Sequence, residues 1–149
     1  MKRFHFRLET LLKYRQMQKE EAQVRFSQAL DEVRRAREAL AKLEAEVAFQ
    51  LDEFRGYQMR KKLTVDILMM FNSYFSRMKE ETSAAEQQVE TAEKKRQELM
   101  KALEEAVKNH KVVKNLRNKR VQEYRAEVLR EEQKQLDEIG TQIFVHGSR

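Results

Sequence analysis

Across its 149 residues the chain has no proline, no cysteine and three glycines, 38% of it is charged, and its formal net charge is +6. The absence of cysteine excludes disulfides and thiolate metal sites and argues against an oxidising compartment, and no apolar run approaches the ~18 residues that would span a bilayer. Behind a basic N-terminus, Arg7 and Glu9 cut off any signal-peptide core, so the expected location is the cytoplasm.

Proline breaks a helix by removing a donor and clashing with the preceding turn. A chain without it, rich in Ala, Glu, Lys, Arg, Gln and Leu, has little reason to leave the helical state. The expected fold is all-α, a single domain over residues 1–149 built as an antiparallel coiled-coil hairpin of two long helices. Hydrophobic residues make up 40% of the chain, low for a globule but ordinary for a coiled coil, which buries one stripe per helix.

The first helix is expected over about residues 4–56. Phe26, Ala29, Val33, Ala36, Leu40, Leu43, Val47, Leu51 and Phe54 follow one another in steps of three and four, the heptad seam of a coiled coil. The stripe reaches back through Ala22 to Leu12, Leu11, Leu8 and Phe4, across a polar gap at Arg15 to Lys19. A reversal is expected over about residues 57–65. Gly56 costs a helix about 1 kcal/mol relative to Ala, Arg60, Lys61 and Lys62 are consecutive cations, and Thr64 and Asp66 both suit an N-cap. Ser83 and Glu86 offer a rival start with capping-box spacing. That start is placed mid-helix, because Ile67, Leu68, Phe71, Tyr74, Phe75 and Met78 form a helical stripe that runs into a second seam.

The second helix is expected over about residues 66–139. Its seam is Val89, Ala92, Leu99, Leu103, Ala106, Val113, Leu116, Val121, Tyr124 and Val128, with Arg96 and His110 on or beside it. Polar residues at a seam commonly fix register at some cost in stability. Gly140 is expected to end the helix as its C′ residue, leaving 140–149 as a loose tail. At about 1.5 Å per residue the helices would run ~80 Å and ~110 Å, so the second should overhang the first from roughly Lys119 to Ile139.

No phosphate loop, paired-histidine motif or nucleophile elbow occurs in the chain. Glu20 and Glu21, and Glu131 and Glu132, are adjacent carboxylates on different helix faces. His110 has no second His or Cys near it in sequence. An enzyme is therefore not expected, and no catalytic, cofactor-binding or metal-ligating residue is assigned.

Charge and aromatics divide the hairpin instead. Antiparallel folding would bring Arg3, Arg7, Lys13, Arg15 and Lys19 beside a second basic stretch containing Lys108, Lys111, Lys114, Arg117, Lys119, Arg120, Arg125 and Arg130. No interleaved aromatics accompany these cations for base stacking and no zipper follows a basic region, so nucleic acid is not an expected partner. Near the turn the chain is rich in Phe, Tyr and Met: Phe49, Phe54, Tyr57, Met59, Met69, Met70, Phe71, Tyr74, Phe75 and Met78. One seam cannot bury them all. A docking patch and an aromatic plug that stabilises the tip both fit this pattern.

The opening RFHFRLETLLKYRQMQKEEA resembles the start of the FliJ family of flagellar type III export components. There an aromatic-x-aromatic-x-Leu-Glu-x-x-Leu pattern precedes a basic helix; here it is Phe4, Phe6, Leu8, Glu9 and Leu12, followed by Arg15. Near the other end EEQKQLDEI resembles the family's closing acidic-Gln-Lys run at Glu132, Gln133, Lys134, Asp137 and Glu138, and Phe71, Tyr74 and Met78 match its aromatic start of helix two. The resemblance implies a non-enzymatic, stalk-like antiparallel coiled coil without cofactors, a monomer when free. It implies three partners: the hexameric flagellar export ATPase, the cytoplasmic domain of the membrane export-gate protein, and export chaperones. It further implies peripheral association with the cytoplasmic face of the membrane.

On that basis Arg3, Arg7, Lys114, Arg117, Arg120, Gln133, Lys134 and Asp137 are assigned to the ATPase ring, and Phe54, Tyr57, Phe71, Tyr74, Phe75 and Met78 to the export gate. The alternatives are a stalk or chaperone-like protein of a virulence type III secretion system, and a structural coiled coil that pairs with itself through a helix continuous across Gly56 to Val65.

Overall fold

The computed structural model describes residues 3–147, which form two helices: α1, Glu9–Met59, of 51 residues, and α2, Val65–Gly147, of 83 residues. The helices pack against each other with no strand among the described residues, the all-α hairpin expected from composition. None of the described helices is long and apolar enough to cross a membrane.

The reversal is a Schellman motif. Lys62 N–H donates to Tyr57 C=O at 3.1 Å and Lys61 N–H donates to Gln58 C=O at 3.2 Å, which ties off the last carbonyls of α1. Lys61 is the C′ residue, left-handed at φ 55°. Gly56, the expected weak point, lies inside α1 instead. The helix therefore stops on a residue that carries a Cβ, at a conformational cost a glycine would avoid. Lys61→Gly is expected to raise stability by about 0.5–1 kcal/mol, read as a higher denaturant midpoint. Of the two candidate caps for α2, Thr64 acts: its Oγ1 accepts from Ile67 N–H at 3.2 Å. The break between Met59 and Val65 removes the continuous helix that the self-pairing structural alternative required.

Both outer boundaries differ from the sequence reading. α1 starts at Glu9 rather than near Phe4, and Arg3–Phe6 have no regular structure. Freed from helical geometry, Phe4 lies against Tyr124 of α2 and Phe6 is buried. A helix would split them. At the other boundary Gly140 does not end α2. No glycine has positive φ among the described residues, and Thr141 Oγ1 donates to Asp137 C=O at 2.8 Å within the helix. Extending an existing helix adds a hydrogen bond per residue with no new nucleation, which offsets the cost of one glycine. The expected tail is thus helical to Gly147; Ser148 and Arg149 lie outside the described residues.

Contacts divide the chain into two compact units, Glu21–Glu104 and, from both ends, Met1–Glu20 with Glu105–Arg149. In the first, Ala29, Val33, Met78 and Ala85 are buried, with Phe26, Leu40, Leu43, Val89, Leu99 and Leu103 half-buried along the seams. A pair of helices has a single contact stripe, so most of its apolar residues keep one side in water. Glu93 holds the register here: it pairs with Arg37 of α1 and accepts from Arg96 Nε at 2.9 Å, while Lys95 reaches Glu32 at 3.3 Å. That arrangement accounts for Arg96 on the seam.

Candidate functional site

In the unit of residues 21–104, the residues next to the turn form an aromatic cluster across the two helices. Phe54 on α1 sets its edge against Phe71 (centroids 5.2 Å) and Phe75 (6.2 Å) on α2, and Tyr57 meets Phe71 at 5.8 Å. Phe71 stacks on Phe75 at 6.0 Å, Tyr74 meets Phe75 edge-on at 5.4 Å, and the Arg77 guanidinium lies 5.8 Å from the Tyr74 ring. Met78, one turn further along α2, is buried, and the five rings are half-buried. Such tilted pairs add about 0.5–1.5 kcal/mol each beyond the area they bury. Of the six residues assigned to the export gate from sequence, the five aromatic ones therefore do come together by packing on one another, and Met78 is buried on the same stripe of α2.

The exposed apolar surface of this unit is different. Next to the turn Phe49, Leu51, Met59, Val65, Met69 and Met70 are exposed, Met59 to 85% and Met70 to 73%; Val24, Leu30 and Met100 are exposed further along the unit. A groove beside Tyr74 is lined by Asp66, Met69, Met70, Ser73 and Arg77. The Tyr74 hydroxyl is buried without a hydrogen bond of normal geometry. Burial first, and the Glu46 carboxylate second, raise its pKa. Met69 and Met70 were not assigned from sequence. They fall off the 67, 68, 71, 74, 75, 78 stripe, and that offset is the signal that could have found them.

The other unit carries the chain's excess of cations over acids. Phe4 lies against Tyr124 at 5.5 Å and Phe6 is buried, so the aromatic-x-aromatic opening is a strap on α2. Arg117 closes the strap: its Nε donates to Glu9 Oε2 at 3.0 Å and its guanidinium stands 5.8 Å from the Phe4 ring. Arg117 is thus a structural clasp as well as a positive charge. Arg120 is exposed and pairs along the helix with Glu123 at 3.1 Å. Arg3, Arg7 and Lys114 are exposed. Gln133, Lys134 and Asp137 are exposed further along α2, with Gln133 Nε2 donating to Asp137 Oδ1 at 3.1 Å. The residues assigned to the ATPase ring all fall in this unit, spread from the strap to the exposed part of α2.

His110 is buried on the seam of the same unit, beside a groove lined by Glu9, Lys13, Gln16, Lys114 and Arg117. Desolvation lowers its pKa, and Lys19 and Lys114 push the same way. The unfolded chain then binds this proton more readily than the folded one. Stability is complete above the ordinary histidine value and declines as pH falls toward the lowered one. His110→Gln is expected to flatten the fall in melting temperature between about pH 7 and pH 5 relative to the parent chain.

Residues 4–149 match the family described as FliJ, flagellar FliJ protein. No curated protein and no solved structure matches the chain.

Proposed function

We propose, for a chain that belongs to the FliJ family and is therefore a component of the flagellar type III export apparatus, that it acts as a non-catalytic stalk in the ring of the hexameric export ATPase. In this reading it also links that ring to the cytoplasmic domain of the membrane export gate and escorts export chaperones, standing in the cytoplasm at the inner face of the membrane. The observation that carries the reading is the exposed cation set Arg3, Arg7 and Lys114, held on a strapped helix pair. A rigid positive surface suits steered docking, because complementary charge speeds and orients an encounter more than it sets final affinity.

The gate contact is assigned to the other unit. Phe54, Tyr57, Phe71, Tyr74, Phe75 and Met78 form its scaffold, and the open side chains Met69 and Met70 beside them form the surface a partner would meet. Methionine suits such a role because its flexible thioether adapts to irregular surfaces. With the two contacts on separate units, each can be disabled alone.

The test is reconstitution. The purified ATPase hexamer and the gate's cytoplasmic domain should each retain the full chain in a pull-down at low salt. Failure of the ring to retain it at any salt concentration would refute the stalk role, and failure of the gate domain would refute the link.

A further inference from the structure

We propose that the last part of α2 is a self-association seam through which two copies of this chain pair antiparallel over residues 129–146. Every residue from Leu129 to Gly147 is exposed. The N-terminal strap and α2 share a groove lined on the α2 side by Leu116, Arg120, Glu123, Tyr124 and Glu127, and Val128 is the last half-buried residue of the helix among the described residues. Past that point α2 carries Leu129, Leu136, Ile139 and Ile143, exposed at 65%, 63%, 52% and 67%. Their steps of seven, three and four place them on one face at coiled-coil spacing.

The residues beside that face identify the occupant. The positions flanking the seam are Gln133, Gln135, Gly140 and Gln142, all uncharged, while Arg130, Glu131, Lys134, Asp137 and Glu138 lie on the outward faces. Flanking charges usually set partner choice in a coiled coil, and like charges there repel a second identical helix. A seam with neutral flanks meets its own copy without that cost. Orientation follows from the two polar seam positions, Glu132 and His146. In a parallel pair Glu132 would face itself. Antiparallel pairing sets Glu132 against Ile143 of the second copy, Leu136 against Ile139 and Leu129 against His146, so no ionisable group meets its own kind.

The helix needs no new nucleus, since it continues from the packed part of α2. Pairing would also support a stretch that contains Gly140, Thr141 and Val145, weak helix formers. A seam of ~27 Å lies at the low end of interface sizes, so the contact is weak and reversible. The expected free monomer then holds in dilute solution only.

The full chain is to be followed by sedimentation equilibrium from about 10 µM to 1 mM, the range such a contact supports. A reversible monomer–dimer equilibrium is expected. Leu136→Gln with Ile143→Gln should weaken it about tenfold or more while leaving the melting of the dilute chain unchanged. Because the chain has no cysteine, mixed L136C and I139C chains report the orientation: the 136–139 disulfide should outnumber the 136–136 and 139–139 products. A monomer at every concentration would overturn the proposal and leave the stripe to a different partner. So would a dimer indifferent to the glutamine pair, or same-site disulfides in excess.

Discussion

Replacing Phe71 and Tyr74 together by alanine is expected to lower the thermal stability of the residue 21–104 unit substantially. Phe71 touches Phe54, Tyr57 and Phe75, and Tyr74 touches Phe75, so the pair removes most of the cross-helix contact next to the turn. Truncating a fully buried Phe costs about 3–5 kcal/mol. These rings are half-buried, and about 2 kcal/mol each is the better expectation. The sum should fall short of additive because both act on Phe75. Met69→Ala with Met70→Ala provides the contrast. Both methionines are open to solvent, so stability should change by no more than about 0.5 kcal/mol, while retention by the export-gate domain should fall. Circular-dichroism melting and a pull-down on the same preparations separate the two roles. If the methionine pair binds at full strength, the docking surface is elsewhere; if the aromatic pair melts like the parent chain, the cluster does not hold the tip.

Reversing the exposed cations of the other unit, Arg3→Glu, Arg7→Glu and Lys114→Glu together, is expected to weaken association with the ATPase ring on the order of tenfold or more at low ionic strength. The deficit should shrink as salt rises, since the Debye length falls from about 10 Å at 0.1 M to about 3 Å at 1 M. Helicity should stay the same, because all three side chains are solvated. Arg117 is kept out of this set. It clasps Glu9 and the Phe4 ring, so Arg117→Ala should loosen the strap and lower the melting temperature, which would confound a binding assay. Binding by the triple variant with unchanged affinity and an unchanged salt slope would exclude electrostatic steering by these residues.

Much of this protein was legible in its sequence, because helix formation is a local decision. The lack of proline, the heptad steps, the cations Arg60 to Lys62 and the β-branched pair Thr64 and Val65 depend only on neighbours along the chain, and they lead to two helices with a reversal over about residues 57–65; the structure puts the break between Met59 and Val65. Seam positions Ala29, Val33 and Val113 are buried because one stripe is all that a helix pair can cover. The tertiary structure decided the rest. Phe4 and Phe6 leave the helix because Tyr124 and its neighbours on α2 offer a surface to an irregular strap. Lys61 rather than Gly56 takes the left-handed turn position because the packed stripes on either side set where α1 must stop. Arg117 becomes a clasp only where Glu9, 108 residues away in sequence, is brought within 3.0 Å. The exposure of Met69 and Met70 beside the half-buried Phe71 depends on which face of α2 meets α1. Local propensity states which segments coil; only the opposing helix states which side chains are left for a partner.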